Sequence, residues 1–339
     1  MVMQAIVLTE YGGPEVLRLA VVEDPAPGPT DVLVAVEASA VNRADVLQRR
    51  GVYPPPAPRP AAEIPGLEFS GSVVAVGAAV TRVEVGDAVL GLLPGGGYAE
   101  RVATPESMVL PIPPGFSFLE AAALPEAFFT AYDALQQVRL AMGDTVLIHA
   151  GASGVGTSAV QLAHHLGARV LATCSADKMP RVQGLGADAV ADYRAGATGD
   201  FVRRETQGRG VDAILDFIGA DTLGQNVDAL AEGGRLIVIG TLSGAVAPIN
   251  LSHLMAKRAS VTGTSLRSRP VEEKMALTQA VGRHVWPLWA DGRIRPVMDR
   301  VFPLADAAAA HRRMEANQNV GKIGLAIGPA AAQHPVTRR

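Results

Sequence analysis

The chain has 339 residues, a net charge of −3 and 48% hydrophobic residues. Its length exceeds that of one ordinary core and predicts two domains. The hydrophobic content argues against disorder, and the lack of a basic surplus argues against a nucleic-acid-binding surface. The single cysteine, Cys174, excludes a disulfide framework and a cysteine-based zinc knuckle within one chain. Arg267 and Arg269 form a small basic cluster that we expect to meet solvent or phosphate.

The N-terminal segment MVMQAIVLTE has neither a basic region nor a long apolar core. It therefore predicts a first strand rather than a signal peptide. No window reaches the roughly 18 uninterrupted apolar residues of a membrane span. We therefore expect a cytoplasmic protein with a small-molecule substrate, and neither a nucleic acid nor a membrane as partner.

Residues 1–120 are rich in Pro, Gly and Val and contain short runs of alternating polarity. These runs are QAIVLTE, DVLVAVEASAV, SGSVVAVGAAV, GDAVLGLL and YAERVATP. Short strands with frequent turns predict a twisted, barrel-like β domain. The segment from Pro54 to Gly66, PPPAPRPAAEIPG, contains too many prolines for a regular element and is predicted to be a surface loop.

After Phe118 the pattern becomes one of alternating helices and strands. LEAAALPEAFFTAYDALQQV has a helical period. The strand candidates that follow are DTVLIHA, RVLATC, AVADY, VDAILDFIG and RLIVIGT, with helical patterns between them. This alternation predicts an α/β fold with a doubly wound parallel sheet, which ASVTGTS (259–265) would close. Val297, Val301 and Ile323 lie in later strands that need a partner, and we expect the N-terminal β domain to provide it.

A glycine-rich turn, VLIHAGASGVG (146–156), follows the first strand of this sheet. Small residues between a strand and a helix let backbone N–H groups approach a diphosphate, where the helix dipole favours negative charge. Gly151 and Gly156 occupy the outer positions of the G-x-G-x-x-G pattern, but Ser153 occupies the middle one. RVLATC follows at βαβ spacing, so the motif predicts a dinucleotide site, with an ordinary glycine-rich turn as the alternative.

The end of the second strand distinguishes NADH from NADPH. NAD enzymes usually place an acidic residue there, whereas this strand ends at Cys174 and Ser175. Ser175 can hydrogen-bond a 2′-phosphate and Lys178 can offer a charge, so NADPH is the predicted cofactor. Asp177 departs from this pattern because a carboxylate repels phosphate. The prediction therefore requires Asp177 to point outward.

Five segments together resemble one superfamily from Met3 to about Ile327: GGPEVL, VNRADVLQRRGVYPPP, LPGGGYAERV, LIHAGASGVGTSAVQLA and MEANQNVGKI. The chain resembles the medium-chain dehydrogenases/reductases. Within them it is similar to the zinc-independent NADPH:quinone oxidoreductases related to zeta-crystallin, nearest to the tumour-suppressor-inducible subgroup. The resemblance implies a GroES-like catalytic domain (1–123 and 265–339) around a Rossmann dinucleotide-binding domain (124–264).

Two positions set the chain apart from the zinc alcohol dehydrogenases of that superfamily. Those enzymes carry a Cys three residues before an Asp, and a His directly before a Glu. Here Asn42 precedes Asp45, and Leu67 precedes Glu68. Amide and aliphatic side chains cannot replace thiolate and imidazole as zinc ligands, so no metal is predicted. Without zinc to manage an alkoxide, easily reduced quinones or enones are favoured over alcohols.

Tyr53 and Asn42 are the candidate catalytic residues. Tyr53 precedes three prolines, and the resemblance implies a place near the nicotinamide, where its O–H would steady a quinone oxyanion. Packing at the loop edge is the alternative. Asn42 is expected to touch substrate or nicotinamide, with a loop cap as the alternative, while Asp45 is expected to be structural. LPGGG (93–97) either borders the substrate cleft or forms a plain turn.

Further candidate cofactor-binding residues come from the carboxyl edge of the sheet, where doubly wound folds bind ligands, and from the resemblance. The edge supplies the end of RLIVIGT. The resemblance adds positions near the nicotinamide, the 2′-phosphate and the cleft. The alternative for Thr130 is a helix residue that bonds its own turn, and the alternative for Asn319 is a plain turn. The complete set is Thr130, Gly151, Ala152, Ser153, Gly154, Val155, Gly156, Ser175, Lys178, Tyr193, Gly240, Thr241, Leu242, Thr264, Ser265, Leu266 and Asn319.

Two classes of function follow from these residues. The first is a metal-free, NADPH-dependent quinone reductase, with enals, enones or enoyl thioesters as alternative acceptors and either electron or hydride transfer. The second is a non-catalytic NADPH-binding protein. The phosphate-binding turn and Tyr53 together favour the enzyme. ASVTGTS, at the end of the sheet, is an edge that invites pairing, so we expect a homodimer.

Overall fold

The computed structural model describes residues 1–53 and 63–334. The chain forms two compact units: a discontinuous unit of Met1–Phe129 and Arg267–Arg339, and a central unit of Thr130–Leu266. The predicted loop that begins at Pro54 lies outside the described residues as far as residue 62. Among the described residues, no helix is long and apolar enough to cross a membrane.

The discontinuous unit is built mainly from strands, as the short alternating runs predicted. Its elements are β1 (Val2–Leu8), β2 (Leu17–Glu23), β3 (Asp31–Val41), α1 (Arg43–Arg49), β4 (Glu68–Val76), β5 (Ala88–Leu92), β6 (Arg101–Pro105), β7 (Val109–Pro111), α2 (Phe118–Ala122), α3 (Pro125–Gln137, which continues into the central unit), α9 (Val271–His284), α10 (Trp286–Ala290), β14 (Met298–Pro303), α11 (Ala307–Glu315) and β15 (Lys322–Ala326). The main sheet has the order β14-β15-β3-β4-β5-β7, with β6 also paired to β3, while β1 and β2 pair with each other.

Strand β3 organises this sheet because alternate residues face the core. Val32, Val34 and Val36 are buried and pack in a cluster with Phe69 and Val73 of β4. Period-two burial of this kind is what an alternating sequence produces in a strand. The alternation therefore fixes which face of the sheet holds the core.

The C-terminal strands complete the sheet begun by the N-terminal segment. β15 pairs antiparallel with β3, with Ile323 opposite Val41, and β14 pairs parallel with β15. This confirms the expected partner for Ile323 and, through β15, for Val301, whereas Val297 lies just before β14. Strands far apart in the chain thus share one sheet.

The segment LEAAALPEAFFTAYDALQQV, predicted to be helical, forms two helices, α2 and α3. Ser117 and Glu120 cap the start of α2, and Ser117 Oγ accepts from Glu120 N at 3.3 Å. The second helix begins at Pro125. Proline has no N–H and its ring blocks the preceding turn, so it favours a new helix start.

The central unit contains β8 (Thr145–Ile148), α4 (Gly154–His165), β9 (Arg169–Cys174), α5 (Met179–Gln183), β10 (Ala189–Asp192), α6 (Thr198–Glu205), β11 (Val211–Asp216), α7 (Ala220–Ala229), β12 (Leu230–Val238), α8 (Leu251–Ala256) and β13 (Ser260–Gly263). The strands form one sheet of order β10-β9-β8-β11-β12-β13, and all neighbours pair in parallel. The doubly wound parallel sheet is confirmed, with ASVTGTS at its edge. The strand order reverses between β8 and β11, the place where such folds bind ligands.

Candidate active site

The glycine-rich turn joins β8 to α4 and is held to the neighbouring strand. Gly151 N donates to Thr173 O at 2.8 Å, and Ala150 takes a left-handed φ of 48°. Ser153 is the N-cap of α4, and its Oγ accepts from Gly156 N at 3.0 Å. A serine at the middle position of the motif therefore begins the helix. Hydroxyl caps of this kind satisfy one of the free N–H groups of the first turn.

Gly156 allows the start of α4 to pack directly on the turn. A Cβ at this position would lie 2.2 Å from Ala150 O and 2.9 Å from the backbone of Gly151. No side chain fits there, so the first turn of α4 packs backbone against backbone on the glycine-rich turn. With the dipole of a twelve-residue helix behind it, this turn suits the diphosphate of a dinucleotide.

A buried polar network lies directly beneath the turn. His149 Nδ1 lies 3.0 Å from Thr173 Oγ1, and His149 Nε2 lies 2.7 Å from Asn226 Oδ1. Asn226 Nδ2 donates to Asp216 Oδ2 at 3.0 Å. Burial lowers the pKa of His149, although the negative charge of Asp216 opposes this shift. The network ties the ends of β8, β9 and β11 together at the ligand-binding edge of the sheet.

The residues predicted to bind the 2′-phosphate of NADPH, Ser175, Lys178 and Tyr193, lie at and after the end of β9. The pKa of Asp177 is lowered by its closeness to the Ser175 hydroxyl and by the charges of Lys178 and Arg194. Asp177 is exposed, and its outward orientation relative to a bound phosphate stays a prediction. The Arg194 guanidinium lies 5.2 Å from the ring centre of Tyr193. The sequence interpretation missed Arg194, a second cation beside these residues.

The remaining candidate cofactor residues of the central unit lie at the ends of the strands. Gly240 and Thr241 follow β12, where Gly240 N donates to Asp216 O at 3.3 Å, and Leu242 is exposed. Thr264 follows β13 and accepts from Gln137 Nε2 at 3.0 Å. The structure thus brings together, within one unit, Thr130, the turn of residues 151–156, Ser175, Lys178, Tyr193, Gly240, Thr241, Leu242 and Thr264, Ser265 and Leu266.

Thr130 carries a second sign that this unit accepts a ligand. Its Oγ1 is buried and has no hydrogen-bond partner among the residues that the structure describes. A buried hydroxyl without a partner is costly, and a bound group can supply the missing bond. The glycine-rich turn at residues 151–156 and this hydroxyl both fit a dinucleotide cofactor.

Asn42, Tyr53 and Asn319 lie in the discontinuous unit. The Asn319 side chain is buried and donates from Nδ2 to Gly321 O at 2.8 Å, which is the geometry of a turn. Its predicted contact with the cofactor stays a prediction. Tyr53 ends the described segment before residue 63, and its N–H donates to Leu47 O at 3.2 Å.

The amide of Asn42 is part of a buried charged cluster. Its Nδ2 donates to Glu68 Oε1 at 2.7 Å, and its Oδ1 accepts from Lys322 Nζ at 2.5 Å. Lys322 Nζ also lies 2.6 Å from Glu68 Oε1. All three residues are at most 8% exposed. The position that holds a thiolate in zinc alcohol dehydrogenases here holds an amide whose oxygen faces an ammonium group.

Two further carboxyl groups border this cluster. Asp45 Oδ2 accepts from Asn42 N at 2.8 Å and from Tyr98 Oη at 3.0 Å, the contacts expected of a structural residue. Burial raises the pKa of Asp45 to about 6. Glu126 N donates to Glu68 Oε2 at 2.8 Å, and burial together with the negative charge of Glu68 raises the pKa of Glu126 to about 8. Only Lys322 among these residues supplies a positive charge within direct contact of Glu68.

Arg267 differs from what the sequence suggested. Its side chain meets neither solvent nor phosphate, because the residue is 6% exposed and bonds to protein oxygens. The LPGGG segment that it contacts lies against residues 64–66, with Gly96 N donating to Ile64 O at 2.8 Å and Gly97 N to Gly66 O at 3.0 Å. Within residues 1–53 and 63–334, no group of three or more His, Cys, Asp and Glu residues is placed to hold a metal ion.

Comparisons with known proteins agree with this architecture. Two family models match: an alcohol dehydrogenase GroES-like domain over residues 28–114, and a zinc-binding dehydrogenase domain over residues 185–325. The quinone oxidoreductase of Lama guanicoe is 33% identical over 96% of this chain and 98% of its own length.

Solved structures match over the same extent. A quinone oxidoreductase from Pseudomonas syringae has a TM-score of 0.85 and 32% identity, covering 96% of this chain and 99% of that one. A mycobacterial protein solved in complex with NADPH has a TM-score of 0.84 and 36% identity, with coverage of 96% and 99%. The chain therefore belongs to the quinone oxidoreductase family of the medium-chain dehydrogenases/reductases, and it is an oxidoreductase with a GroES-like and a Rossmann unit.

Proposed function

We propose that the protein is an NADPH-dependent quinone reductase that works without a metal ion. The observation that carries the proposal is the Asn42–Glu68–Lys322 cluster. Lys322 places an ammonium group 2.5 Å from the amide oxygen of Asn42. A divalent cation at this position would face that positive charge and would have an amide where a thiolate is needed. The same surroundings suit an acceptor that needs no Lewis acid, such as a quinone.

The residues of the chain divide the work of this reaction. The turn of residues 151–156 and the N-terminus of α4 hold the diphosphate, and Lys178 and Arg194 offer positive charge to the 2′-phosphate. When bound, NADPH supplies two electrons, as a hydride or one at a time, and the reduced quinone takes its remaining protons from water. Tyr53 is the candidate donor to the quinone oxygen as negative charge develops there. Its hydroxyl has no hydrogen-bond partner among the described residues, so it is available for this contact.

The direct test is the loss of NADPH absorbance with a panel of ortho- and para-quinones, enals and enoyl thioesters. We expect quinones to give the highest kcat/KM, with activity unchanged after chelation and no stoichiometric zinc by elemental analysis. Loss of activity on chelation, with recovery on adding zinc, would overturn the metal-free proposal. A preference for enoyl thioesters would replace the quinone, and no turnover with any acceptor would favour a non-catalytic NADPH-binding protein.

Tyr53→Phe tests the role of the phenol. We expect turnover to fall about 10- to 100-fold, the range of modest acid catalysis, because water can still protonate the product. The substitution keeps the ring and the backbone carbonyl, so the fold of this segment is preserved. An unchanged rate would assign Tyr53 to packing at the loop edge.

We also propose that the protein is a homodimer joined through the edge of the central sheet. β13 pairs with β12 on one side, and its residues Ser260–Gly263 are all exposed. Leu251 and Met255 of α8 are exposed apolar residues in the same unit. An exposed edge strand invites pairing with another copy. Sedimentation should show a dimer at micromolar concentration, and Thr262→Pro should shift it to monomer, while a monomeric parent protein would overturn the proposal.

A further inference from the structure

Arg267 is the first residue of the discontinuous unit after the chain leaves the central unit. Its backbone is anchored, because Lys274 Nζ donates to Arg267 O at 2.9 Å. Its side chain reaches back to three segments near the N-terminal end of the chain. No role for this residue followed from the motifs in the sequence.

The guanidinium group of Arg267 bonds in three directions. Nε donates to Pro94 O at 2.9 Å, Nη1 donates to Tyr53 O at 3.0 Å, and Nη2 donates to Gln48 Oε1 at 2.7 Å. Its central carbon also lies 5.2 Å from the centre of the Tyr53 ring, within the range of a cation–π contact. A planar group with five N–H donors makes such a set of bonds, and an ammonium group does not.

The three segments are a bend, a glycine-rich loop and a helix. Tyr53 follows α1 in a bend, and its described backbone bond runs only to Leu47. Gly95 and Gly96 have positive φ angles of 159° and 92°, which glycine adopts readily, and Gly96 and Gly97 are held by backbone bonds to residues 64–66. Gln48 lies on α1, the helix that Asn42 begins. One side chain therefore connects the candidate phenol, the glycine loop and the helix.

The charge of Arg267 is compensated within the same unit. Burial lowers the pKa of its guanidinium, and the nearby carboxylates Asp45, Glu126 and Glu63 raise it. A guanidinium remains charged in proteins, so its bonds to carbonyl oxygens are charge-assisted and stronger than neutral ones. The arrangement is therefore suited to hold the backbone carbonyls of two loops.

We propose that Arg267 is a positioning residue, which fixes Tyr53 and the LPGGG loop in one arrangement for the acceptor. The proposal rests on the proposed quinone reductase function. It extends that function because it assigns the positioning of the Tyr53 phenol to Arg267, which lies far from Tyr53 in the sequence. Misplacement of a reacting group by about 1 Å can cost about 100-fold in rate, so the position of Tyr53 matters for turnover.

Arg267→Lys keeps the positive charge and replaces the planar guanidinium and its N–H donors with an ammonium group. We expect kcat for quinone reduction to fall about 10- to 100-fold, while the NADPH dissociation constant changes less than about twofold. Arg269→Lys, two residues further along the chain, is the matched control and should keep kcat within about twofold of the parent. Parent-like turnover of Arg267→Lys would overturn the proposal.

A double-mutant cycle tests whether Arg267 acts through Tyr53. Tyr53→Ala should lower kcat in the parent and have little further effect in Arg267→Lys, because contacting residues that work together are not additive. Rate losses that simply multiply would show that Arg267 acts elsewhere and would overturn the proposal.

Amide hydrogen exchange tests the positioning without any catalytic assay. In Arg267→Lys, the amides of Val52, Tyr53, Gly96 and Gly97 should exchange at least about tenfold faster. Amides of β11 should not change, which distinguishes local release from general destabilisation. Unchanged exchange at the four amides would overturn the proposal even if quinone reduction is confirmed. Faster exchange in a protein that reduces no quinone would support the positioning while overturning the proposed function.

Discussion

The candidate site of the central unit is formed mainly by backbone groups, and that of the discontinuous unit by side chains. The central unit uses backbone: a turn of six consecutive residues, a helix N-terminus and a glycine that leaves no space for a side chain. The discontinuous unit uses side chains from distant parts of the chain. Asn42 and Glu68 are 26 residues apart, and Glu68 and Lys322 are 254 residues apart. Hence a local change of shape should disable the first site, and a change of charge should disable the second.

The largest effect expected from this contrast is at Lys322. Lys322→Met leaves Glu68 charged and buried without its cation, which should lower the free energy of unfolding by about 3–5 kcal/mol. Urea denaturation of the purified variants measures this loss. Arg203→Met, which breaks the exposed pair with Asp200, should cost less than about 1 kcal/mol.

A second variant separates charge from packing at the same place. Adding Glu68→Gln to Lys322→Met removes the unpaired charge and should restore part of the lost stability. A double variant no more stable than Lys322→Met would show that packing, and not charge, dominates the cluster.

In the central unit the corresponding test changes shape alone. Gly156→Ala places a methyl group 2.2 Å from Ala150 O in the unperturbed backbone, so the turn must move away from α4. We expect the NADPH dissociation constant to rise at least about tenfold, which fluorescence titration can measure. Gly224→Ala in α7 meets no atom within 4 Å and is the control. It should leave NADPH binding unchanged and stabilise the helix by up to about 1 kcal/mol. Equal affinity in both variants would contradict the assignment of the turn.

A smaller effect on NADPH binding is expected from Lys178, which follows β9 in the central unit and acts through its charge. Lys178→Ala removes one charge-assisted contact to the 2′-phosphate, which is worth about 1.5–3 kcal/mol. The Michaelis constant for NADPH should rise about tenfold or more, while that for NADH should barely change. Because Asp177 also follows β9, Asp177→Asn should act in the opposite direction and improve NADPH use. Equal effects of Lys178→Ala on both cofactors would overturn the NADPH assignment.

The most gradual effect is a change in pH dependence at Glu126, which is at most about 1.4 kcal/mol for each pH unit. Its pKa is raised from an ordinary 4.5 to about 8 in the folded protein, so folding favours the protonated form. The stability it contributes is complete below pH 4.5 and is lost as the pH rises through about 8. The free energy of unfolding should therefore fall between about pH 4.5 and 8, by at most about 1.4 kcal/mol per pH unit. Glu126→Gln should flatten this decline, and an identical slope in the variant would contradict the shift.

The same contrast explains how much could be predicted from the sequence. Strands, the glycine turn and the strand edge at Gly240 are encoded by neighbouring residues, so their periods and spacing predicted them. The helical character of residues 119–138 could be predicted, but the apolar period continues across Pro125 and so does not locate the helix that begins there, although proline favours a new start.

The side-chain networks depend on the folded topology and leave no local signal. Nothing near Lys322 or Arg267 in the chain indicates that each will bond residues more than 150 positions away. His149 was hidden inside the turn motif, and its partner Asn226 lies on α7. Arg194 follows Tyr193 directly, and a search for cations beside the predicted phosphate contacts would have found it.

The position of Lys322 has a consequence for how the protein is made. A chain emerging from the ribosome presents Glu68 long before Lys322, and β15 is synthesised after the other described strands of its sheet. Residues 130–266 are contiguous and can fold as soon as they emerge, whereas the sheet around β3 must wait for its final strand. During that interval Asn42 and Glu68 lack their cation, and β3 lacks its neighbour β15. We therefore expect the N-terminal side of the nascent protein to be the part that is open longest to chaperones and to premature strand pairing.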